Sequence, residues 1–424
     1  MLEDVSTSRR RFLVGAALAG AASALPSAAG AQTAASSAIR PFKVAVPEAD
    51  IAAMKRRITE TRWADMEPAP DDNQGVRRQT IEPLLRYWAT DYDWRKVEAK
   101  LNALPMFLTE IDGLDIHFIH VRSRHENALP MVLTHGWPGS VLEFLKAIDP
   151  LTNPTAHGGT ADDAFHLVIP SIPGFGFSAK PTKLGWGSDH IGRAWSVLMR
   201  RLGYETYVSQ GGDCGSVISQ RMALQHVPGL RAIHLNMPAV VPAEIAKVLA
   251  AGDPAPATLS AKERGAFDQL EAFYRDNSAY AAMMNTRPQT IGYSLVDSPA
   301  GMAAWMYEKI AQWTYSGGQP ERVLTRDEIV DDIALYWLTG TGASAARIYW
   351  EDHTNNFNAR GLIDLPVAVS VFPGEIFRAP KSWAERCYKN LVYFNEASNG
   401  GHFAAWEQPQ IFAQEVRAAF RAFR

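Results

Sequence analysis

One segment of the chain has residue types and a spacing that could carry out nucleophilic chemistry. Residues 207–216 read Tyr-Val-Ser-Gln-Gly-Gly-Asp-Cys-Gly-Ser, a short apolar strand followed by a turn in which Gly211 and Gly215 flank Asp213. This pattern is typical of a nucleophile elbow, a strained strand-to-helix turn that lifts one side chain above the sheet edge. A carboxylate there is ionised at neutral pH and can displace a leaving group from an sp3 carbon. The alternative is a glycine-rich loop in which Asp213 only caps a helix.

Two residues near the C-terminus could complete a catalytic set with Asp213. His402 lies in a glycine-bounded loop directly after the last predicted strand, where an imidazole could act as a general base. Glu375 follows the preceding strand and could hold that imidazole in the required tautomer. Each is an ordinary loop residue when taken alone, but the order nucleophile, acid, histidine is that of α/β-hydrolases. The sequence therefore predicts that Asp213, Glu375 and His402 act together.

A second glycine-containing turn could stabilise negative charge. The segment His-Gly-Trp-Pro-Gly-Ser at residues 135–140 follows a predicted strand, and its glycines permit close approach of the backbone. The Trp137 amide could then point at a developing oxyanion, and the Cys214 amide, one residue beyond Asp213, would supply a second donor. The alternative is an ordinary strand-to-helix loop with Ser140 as a helix N-cap.

These residues need a sheet to position them, and the apolar pattern predicts one. Short apolar segments that alternate with helical ones are expected to be strands at residues 131–134, 165–169, 204–209, 232–235, 367–372 and 391–394. Strands that alternate with helices predict an α/β fold with a mainly parallel, doubly wound sheet. A hairpin of residues 107–111 and 116–121, turning at Asp112-Gly113, is expected to precede them.

The same pattern divides the chain into regions. Residues 39–106 combine charged helical stretches with aromatic residues and are predicted to form an N-terminal meander. The α/β core is expected at residues 107–237 and 343–424. Between its two parts, residues 238–342 are helical and rich in aromatic residues, which predicts a cap over the carboxyl ends of the strands, where ligands bind in such sheets.

The first residues of the chain are interpreted as a targeting signal. Residues 8–13 read Ser-Arg-Arg-Arg-Phe-Leu, a twin-arginine signature, and an apolar stretch and a small-residue site ending at Ala31 follow. We therefore expect a twin-arginine signal over residues 1–31, recognised by the twin-arginine export machinery and cleaved to release a periplasmic or otherwise exported protein. The alternative is an uncleaved membrane anchor, for which the apolar stretch is short.

Composition excludes several classes of function. The chain has 424 residues, a net charge of −3 and no basic block beyond the signal, so a nucleic-acid partner is not expected. Its two cysteines, Cys214 and Cys387, are not expected to pair. His117 and His120 lie on a predicted strand without metal-ligand spacing, and the Gly-x-Gly at residues 174–176 lacks the rest of a nucleotide fingerprint. We therefore expect neither a metal nor a cofactor, and the sequence leaves the oligomeric state open.

Several spaced motifs together resemble the epoxide hydrolases of the microsomal type. They are HGWPGS at 135–140, PSIPGFGFS at 170–178, GGDCGS at 211–216, GYSLVDSP at 292–299 and GGHFAAWEQP at 400–409. The resemblance extends from about residue 39 to the C-terminus and implies an α/β-hydrolase fold. It implies that a small-molecule epoxide and water react to give a vicinal diol. Asp213 would be the nucleophile, His402 the base that activates water, and Glu375 its acidic partner.

The resemblance also assigns two tyrosines of the cap, Tyr293 and Tyr349. Opening an epoxide produces an alkoxide, and a phenol can donate a hydrogen bond to the oxygen as its charge develops. Core packing, which explains most buried tyrosines, is the alternative for either residue. The aromatic cap suits an apolar epoxide, but the same aromatic residues could simply form the core of the cap. The natural substrate and the stereochemistry of the reaction therefore stay open.

The sequence departs from this family at two points, and two other functions stay possible. Cys214 occupies a position that is frequently tryptophan, and an export signal stands where microsomal relatives carry a membrane anchor. A haloalkane dehalogenase also combines an aspartate nucleophile with a histidine, but it needs an indole N–H beside the nucleophile, which Cys214 cannot provide. A non-catalytic binding protein with this fold is the other alternative, and loss of one of the three catalytic residues would have favoured it.

Overall fold

A mainly parallel β-sheet runs through the chain. The computed structural model describes residues 37–353 and 357–424. Within these residues the strands are β1 (Arg40–Pro41), β2 (Met106–Ile111), β3 (Leu114–Val121), β4 (Leu129–Thr134), β5 (Phe165–Pro170), β6 (Tyr207–Gly211), β7 (Leu230–Leu235), β8 (Val367–Val371) and β9 (Leu391–Glu396). Their order across the sheet is β1-β2-β3-β5-β4-β6-β7-β8-β9. Strands β4 to β9 pair in parallel, and β1 to β3 form an antiparallel edge.

Burial explains why the central strands are almost continuously apolar. Every residue of β5, β6 and β8 is buried, so both faces of the sheet are covered there. Parallel strands that are covered by helices on both faces show this composition. The predicted α/β fold with a mainly parallel sheet is therefore confirmed.

The predicted strands are all present, with small shifts at their ends. Asp112 and Gly113 both have positive φ, 50° and 80°, as a tight two-residue turn between β2 and β3 requires. Strand β6 begins at Tyr207 and not at residue 204, because the preceding helix ends through a turn in which Gly203 has a φ of 85° and the Tyr204 amide bonds the Met199 carbonyl.

Helices fill the connections between the strands. Before the sheet lie α1 (Glu48–Thr59), α2 (Arg78–Thr90) and α3 (Trp94–Asn102); between β4 and β7 lie α4 (Ile148–Thr152), α5 (Ser188–Arg201) and α6 (Asp213–Leu224). Between β7 and β8 lie α7 (Ala243–Ala251), α8 (Ala261–Ala272), α9 (Ala279–Thr286), α10 (Pro288–Asp297), α11 (Pro299–Trp313), α12 (Arg326–Thr339) and α13 (Gly342–Asp352). The last ones are α14 (Lys381–Cys387), α15 (Ala404–Glu407) and α16 (Pro409–Phe420).

Local sequence signals delimit the helices inserted between β7 and β8. Helix α8 begins with a capping box of Ser260 and Glu263, and α12 begins with one of Thr325 and Glu328. Helix α12 ends at Gly340, which adopts the left-handed conformation common at helix ends. The helical insertion continues through α13 to Asp352, beyond the predicted end of the cap at residue 342, so Tyr349 lies on a helix that packs against α9 and α10.

The N-terminal helices pack against the inserted helices. Tyr92 donates a buried hydrogen bond of 2.7 Å to Asp331 Oδ1 on α12. Arg57 on α1 donates to the Asp297 carbonyl oxygen at the end of α10. In α3, Trp94, Val97 and Leu101 recur on one face and are buried. The region predicted as a meander therefore contributes to the same core as the cap.

The remaining observations concern the cysteines, membrane-crossing helices, metal sites and the N-terminal segment. Cys214 and Cys387 are both unpaired, as expected. Within residues 37–353 and 357–424, no helix has the length and apolar character needed to cross a bilayer, and no group of three or more His, Cys, Asp or Glu side chains is arranged to hold a metal ion. The predicted twin-arginine signal at residues 1–31 lies outside the described residues.

Candidate active site

Asp213 lies in a sharp turn between β6 and α6. Its φ is 48°, a left-handed conformation that a residue with a side chain rarely adopts. A Cβ atom on Gly215 would lie 2.0 Å from the Thr134 carbonyl oxygen, and one on Gly211 would lie 2.1 Å from the Gly215 carbonyl oxygen. Only glycine fits at these two positions, which agrees with the predicted elbow, and the turn presents a carboxylate at the carboxyl end of the sheet.

Two backbone amides hold one oxygen of this carboxylate. The Trp137 N–H donates to Asp213 Oδ1 at 3.0 Å, and the Cys214 N–H donates to the same oxygen at 2.7 Å. Gly136 allows the close approach, because a Cβ atom there would lie 2.3 Å from the Asp213 Cβ. The structure thus brings together the two amides that the sequence predicted, and it leaves Oδ2 without a bond to either of them.

His402 and Glu375 lie on the other side of the carboxylate. His402 Nδ1 is 2.6 Å from Glu375 Oε1, and its Nε2 is 3.6 Å from Asp213 Oδ2. Glu375 Oε1 also accepts a hydrogen bond of 2.8 Å from the Ile376 amide, which fixes the carboxylate. Because Nδ1 faces a carboxylate, it carries the proton in the neutral imidazole, and Nε2 is then an acceptor. All three predicted residues therefore meet in one buried cluster.

The charges around His402 favour its protonated form. Burial lowers the pKa of His402, but the carboxylates of Glu375, Asp213 and Glu143 outweigh burial and raise the pKa to about 9. In the absence of substrate the imidazole is therefore cationic at neutral pH. It forms an ion pair with Asp213 and with Glu375.

Two tyrosines of the inserted helices face the carboxylate, and one of them differs from the prediction. Tyr349 on α13 is buried, and its side chain interacts with that of Tyr280. Tyr280 on α9 stacks on Trp137, with ring centroids 5.1 Å apart, and its ring centroid is 6.1 Å from that of Tyr349. Burial raises the pKa of both phenols well above the usual value, and the charge of Asp213 adds to it. Both hydroxyls therefore remain protonated donors.

Tyr293 does not belong to this cluster, which corrects the sequence prediction. Its side chain is 67% exposed. On α10 the buried positions are Pro288, Gly292 and Leu295, and a Cβ atom on Gly292 would lie 2.6 Å from the Cβ of Ala343 on α13. The motif GYSLVDSP therefore packs through its glycine and turns its tyrosine outward. The available signal for Tyr280 was the spacing of Tyr280 and Met284, which form the buried i, i+4 pair of α9.

A cavity of about 360 Å³ connects Asp213 with the two tyrosines. Its walls are mostly apolar and aromatic, and they include Met237, Phe273 and Phe357. Exposed Ala282 and Thr286 of α9 also line it, so the cavity reaches the surface there. This size and this lining are typical of a small-molecule site, with a few polar groups that converge on one point.

The inserted helices are attached to the histidine loop. The His402 N–H donates to the Trp313 carbonyl oxygen at the end of α11, at 2.9 Å. Glu407 Oε2 accepts a hydrogen bond of 2.7 Å from the Tyr315 amide, two residues further along. The position of the imidazole is therefore coupled directly to the end of a cap helix.

Sequence reasoning also missed Glu143. It lies on a 3-10 turn, Val141–Ala147, that follows the Trp137 loop, and its side chain is buried. Burial raises the pKa of Glu143 well above the usual value, and the charge of Asp332 adds to it, whereas the His402 cation lowers it. The sequence of an apolar turn gives no sign that its glutamate lies at the site, because the residues that surround this glutamate in the structure come from distant segments of the chain.

Comparison with protein families gives two matches. Residues 39–144 match the model described as the epoxide hydrolase N terminus. Residues 130–308 match the model of the alpha/beta hydrolase fold.

Individual relatives agree with these matches. The chain is 54% identical over 387 residues to a Stigmatella aurantiaca protein whose name assigns it to the epoxide hydrolases, covering 91% of this chain and 86% of that protein. It is 35% identical to epoxide hydrolase 1 of Sus scrofa, and the match covers 89% of this chain and 88% of that protein. The solved structure of juvenile hormone epoxide hydrolase from the silkworm Bombyx mori superposes with a TM-score of 0.82 at 30% identity, covering 92% of this chain and 95% of that one.

Proposed function

Because this chain belongs to the epoxide hydrolases of the microsomal type, which convert epoxides to diols, we propose that its reaction proceeds through an ester on Asp213. The observation that carries the proposal is the unequal environment of the two carboxylate oxygens. Two amides hold Oδ1, whereas Oδ2 accepts from neither and is available for attack. A carboxylate fixed in this way can approach an epoxide carbon in line, with the oxygen of the epoxide directed away from it.

The first step would open the ring. Asp213 Oδ2 forms a bond to one epoxide carbon while the bond between that carbon and the ring oxygen breaks. Tyr280 and Tyr349 donate hydrogen bonds to the leaving oxygen, and one phenol transfers its proton to it. The ester carbonyl oxygen is then Oδ1, which already lies between the Trp137 and Cys214 amides.

Formation of the ester would also prepare the base. The negative charge of Asp213 is one of the charges that raise the pKa of His402, and the ester is neutral. The pKa of His402 therefore falls as the ester forms, and the imidazole releases its proton to solvent, from which it takes one back when the Asp213 carboxylate reforms. Neutral His402, oriented by Glu375, can then accept a proton from water in the second step.

Intact-protein mass spectrometry of His402→Gln after exposure to aryl and alkyl epoxides tests this route. We expect a stable adduct of whole-epoxide mass on the peptide that contains Asp213, because the ester forms but is not hydrolysed. Wild-type protein should show only a transient adduct, and Asp213→Ala should show none and should have no epoxide hydrolase activity. An Asp213→Ala variant with ordinary turnover would rule out the ester.

We also propose that the protein is exported. The support is the twin-arginine signature at residues 8–13 and the small-residue site that ends at Ala31. Cell fractionation with mass spectrometry of the N-terminus tests it. Exported protein that begins near Gln32 is the expected result, and a full-length protein retained in the membrane would favour the uncleaved anchor.

A further inference from the structure

Two cavities meet at Asp213. One is the aromatic cavity that reaches the surface at α9. The other is much smaller, with about 20 Å³ of space for the centre of a water molecule, and it is lined by Asp213, His402 and Glu143. A water molecule needs roughly 10–15 Å³ of such space and two to four polar partners. The small cavity therefore fits a single water molecule and is too small for an epoxide.

The polar groups of the small cavity match the needs of a reacting water. His402 and Glu143 line it together with Asp213, and its remaining walls include Phe144, Phe403 and other apolar groups. Asn236 also borders it, but Asn236 Oδ1 already accepts a hydrogen bond of 2.9 Å from Gln210. A water molecule whose lone pair points at the ester carbon must direct both of its O–H groups to acceptors. His402 Nε2 is one acceptor, and a Glu143 oxygen is the second.

Resting on the ester mechanism above, we propose that Glu143 positions the hydrolytic water in this small cavity, so that water and epoxide reach Asp213 from separate spaces. Neighbouring backbone makes room for the carboxyl group: a Cβ atom on Gly139 would lie 2.8 Å from Glu143 Oε2. The Trp137 loop and Glu143 thus belong to one continuous segment, which places an oxyanion donor and a water acceptor on neighbouring turns.

The environment of Glu143 keeps it suited to this role. Burial raises the pKa of Glu143 well above the usual value. Whether protonated or ionised, the side chain offers an oxygen as a hydrogen-bond acceptor for the water.

The hydrolytic step consumes one water molecule and regenerates the Asp213 carboxylate. One water proton moves to His402 Nε2 while the water oxygen bonds to Asp213 Cγ, and the electron pair of the carbonyl moves to Oδ1. When that pair returns, the bond between Cγ and the substrate oxygen breaks, and the substrate oxygen takes the proton from His402. The second proton of the water leaves as the carboxylate reforms and restores the phenol that protonated the ring oxygen.

Single-turnover experiments with quenched-flow mass spectrometry separate the two steps. We expect Glu143→Leu to form the ester within about threefold of the wild-type rate but to hydrolyse it at least about tenfold more slowly, because one hydrogen bond to the water is lost. Glu143→Gln keeps a carbonyl acceptor and should hydrolyse the ester within a few-fold of wild type. As a control for loss of a buried carboxyl elsewhere, Glu415→Gln on α16 should change neither step.

Two results would overturn the proposal: an unchanged rate of ester hydrolysis in Glu143→Leu, or an equal slowing of both steps. If Glu143→Leu does not fold, Ala405→Val fills the cavity from another wall, and it too should slow hydrolysis of the ester alone. An unchanged hydrolysis rate in Ala405→Val counts against a water in this cavity. These results are distinct from failure of the ester mechanism, in which no adduct appears even in His402→Gln.

Discussion

The residues that meet at Asp213 differ in charge and in burial, and in the proposed mechanism this difference assigns them to successive steps. The two phenols stay protonated because burial raises the pKa of each, so they are donors from the start. His402 is cationic in the free enzyme, with a pKa raised to about 9. In the proposed mechanism it therefore becomes a base only after Asp213 has lost its charge. The order of the two proposed steps then follows from electrostatics.

At the scale of residues, single substitutions can test the finding that Tyr280, and not Tyr293, lies beside the carboxylate. Tyr280→Phe and Tyr349→Phe each remove one of the proposed donors to the leaving oxygen, and we expect each to slow ester formation on the order of a hundredfold. Tyr293→Phe is the matched control, because that side chain is 67% exposed, and it should leave the rate unchanged. Stopped-flow or quenched single-turnover measurements decide this, and a loss of activity in Tyr293→Phe would restore the original prediction.

The raised pKa of His402 also predicts how stability depends on pH. The pKa is about 9 in the fold and 6.5 ordinarily, so the folded state binds the proton more tightly. The resulting stabilisation is fully present below about pH 6.5 and is lost as the pH rises through about 9. Its size is on the order of 3 kcal/mol.

Denaturant unfolding of the wild type and of His402→Gln between pH 6 and about pH 10 measures the stabilisation that protonated His402 contributes. The wild type should lose more stability than the variant as the pH rises, because the variant has no imidazole to titrate. Parallel curves for the two proteins would show that His402 is not held as a cation in the fold.

At the scale of elements, the turn between β6 and α6 depends on glycine. In Gly215→Ala a Cβ atom would lie 2.0 Å from the Thr134 carbonyl oxygen. Because the backbone there cannot move away without a large energetic cost, we expect the protein to be destabilised by about 3 kcal/mol or more and to lose activity. Gly265→Ala on α8 is the matched control, because nothing lies within 4 Å of its Cβ position. It should stabilise the protein by about 0.5–1 kcal/mol, since alanine favours a helix. Thermal and chemical unfolding of both variants checks these signs.

The elements also show what could be predicted from the sequence. Asp213, Glu375 and His402 follow the ends of β6, β8 and β9, and the carboxyl ends of parallel strands share one edge, so chain order was sufficient to bring them together. Tyr293 was misplaced because a motif does not reveal the rotation of its helix, and α10 buries Gly292 instead. The small cavity could not be predicted, because it forms where residues 136–144, 212–213, 236 and 402–412 meet, and these segments are far apart in sequence.

At the scale of the whole molecule, the N-terminal helices are part of the same cooperative structure as the cap. Tyr92→Phe removes the buried bond to Asp331, whose pKa burial already raises to about 6. We expect a loss of about 1–3 kcal/mol, because a buried carboxyl is left without its donor. Tyr87→Phe is the control, because it removes a more exposed hydrogen bond to Asp327. It should lower the free energy of unfolding by a smaller amount.

Urea unfolding monitored by fluorescence and by circular dichroism measures both variants. A single coincident transition at a lower midpoint is expected for Tyr92→Phe, because the N-terminal helices, the cap and the sheet unfold together. A separate early transition would show that the N-terminal helices unfold independently of the cap.

The hydrogen bond from the His402 amide to the Trp313 carbonyl restricts how the enzyme exchanges its reactants with solvent. If this end of α11 moved away as a lid, it would carry the His402 imidazole with it and displace the base in every catalytic cycle. We therefore expect epoxide and diol to pass through the opening of the cavity at α9, where Ala282 and Thr286 are exposed. If this opening limits the size of the substrate, enlarging side chains there should exclude larger epoxides without altering the rate for the smallest ones.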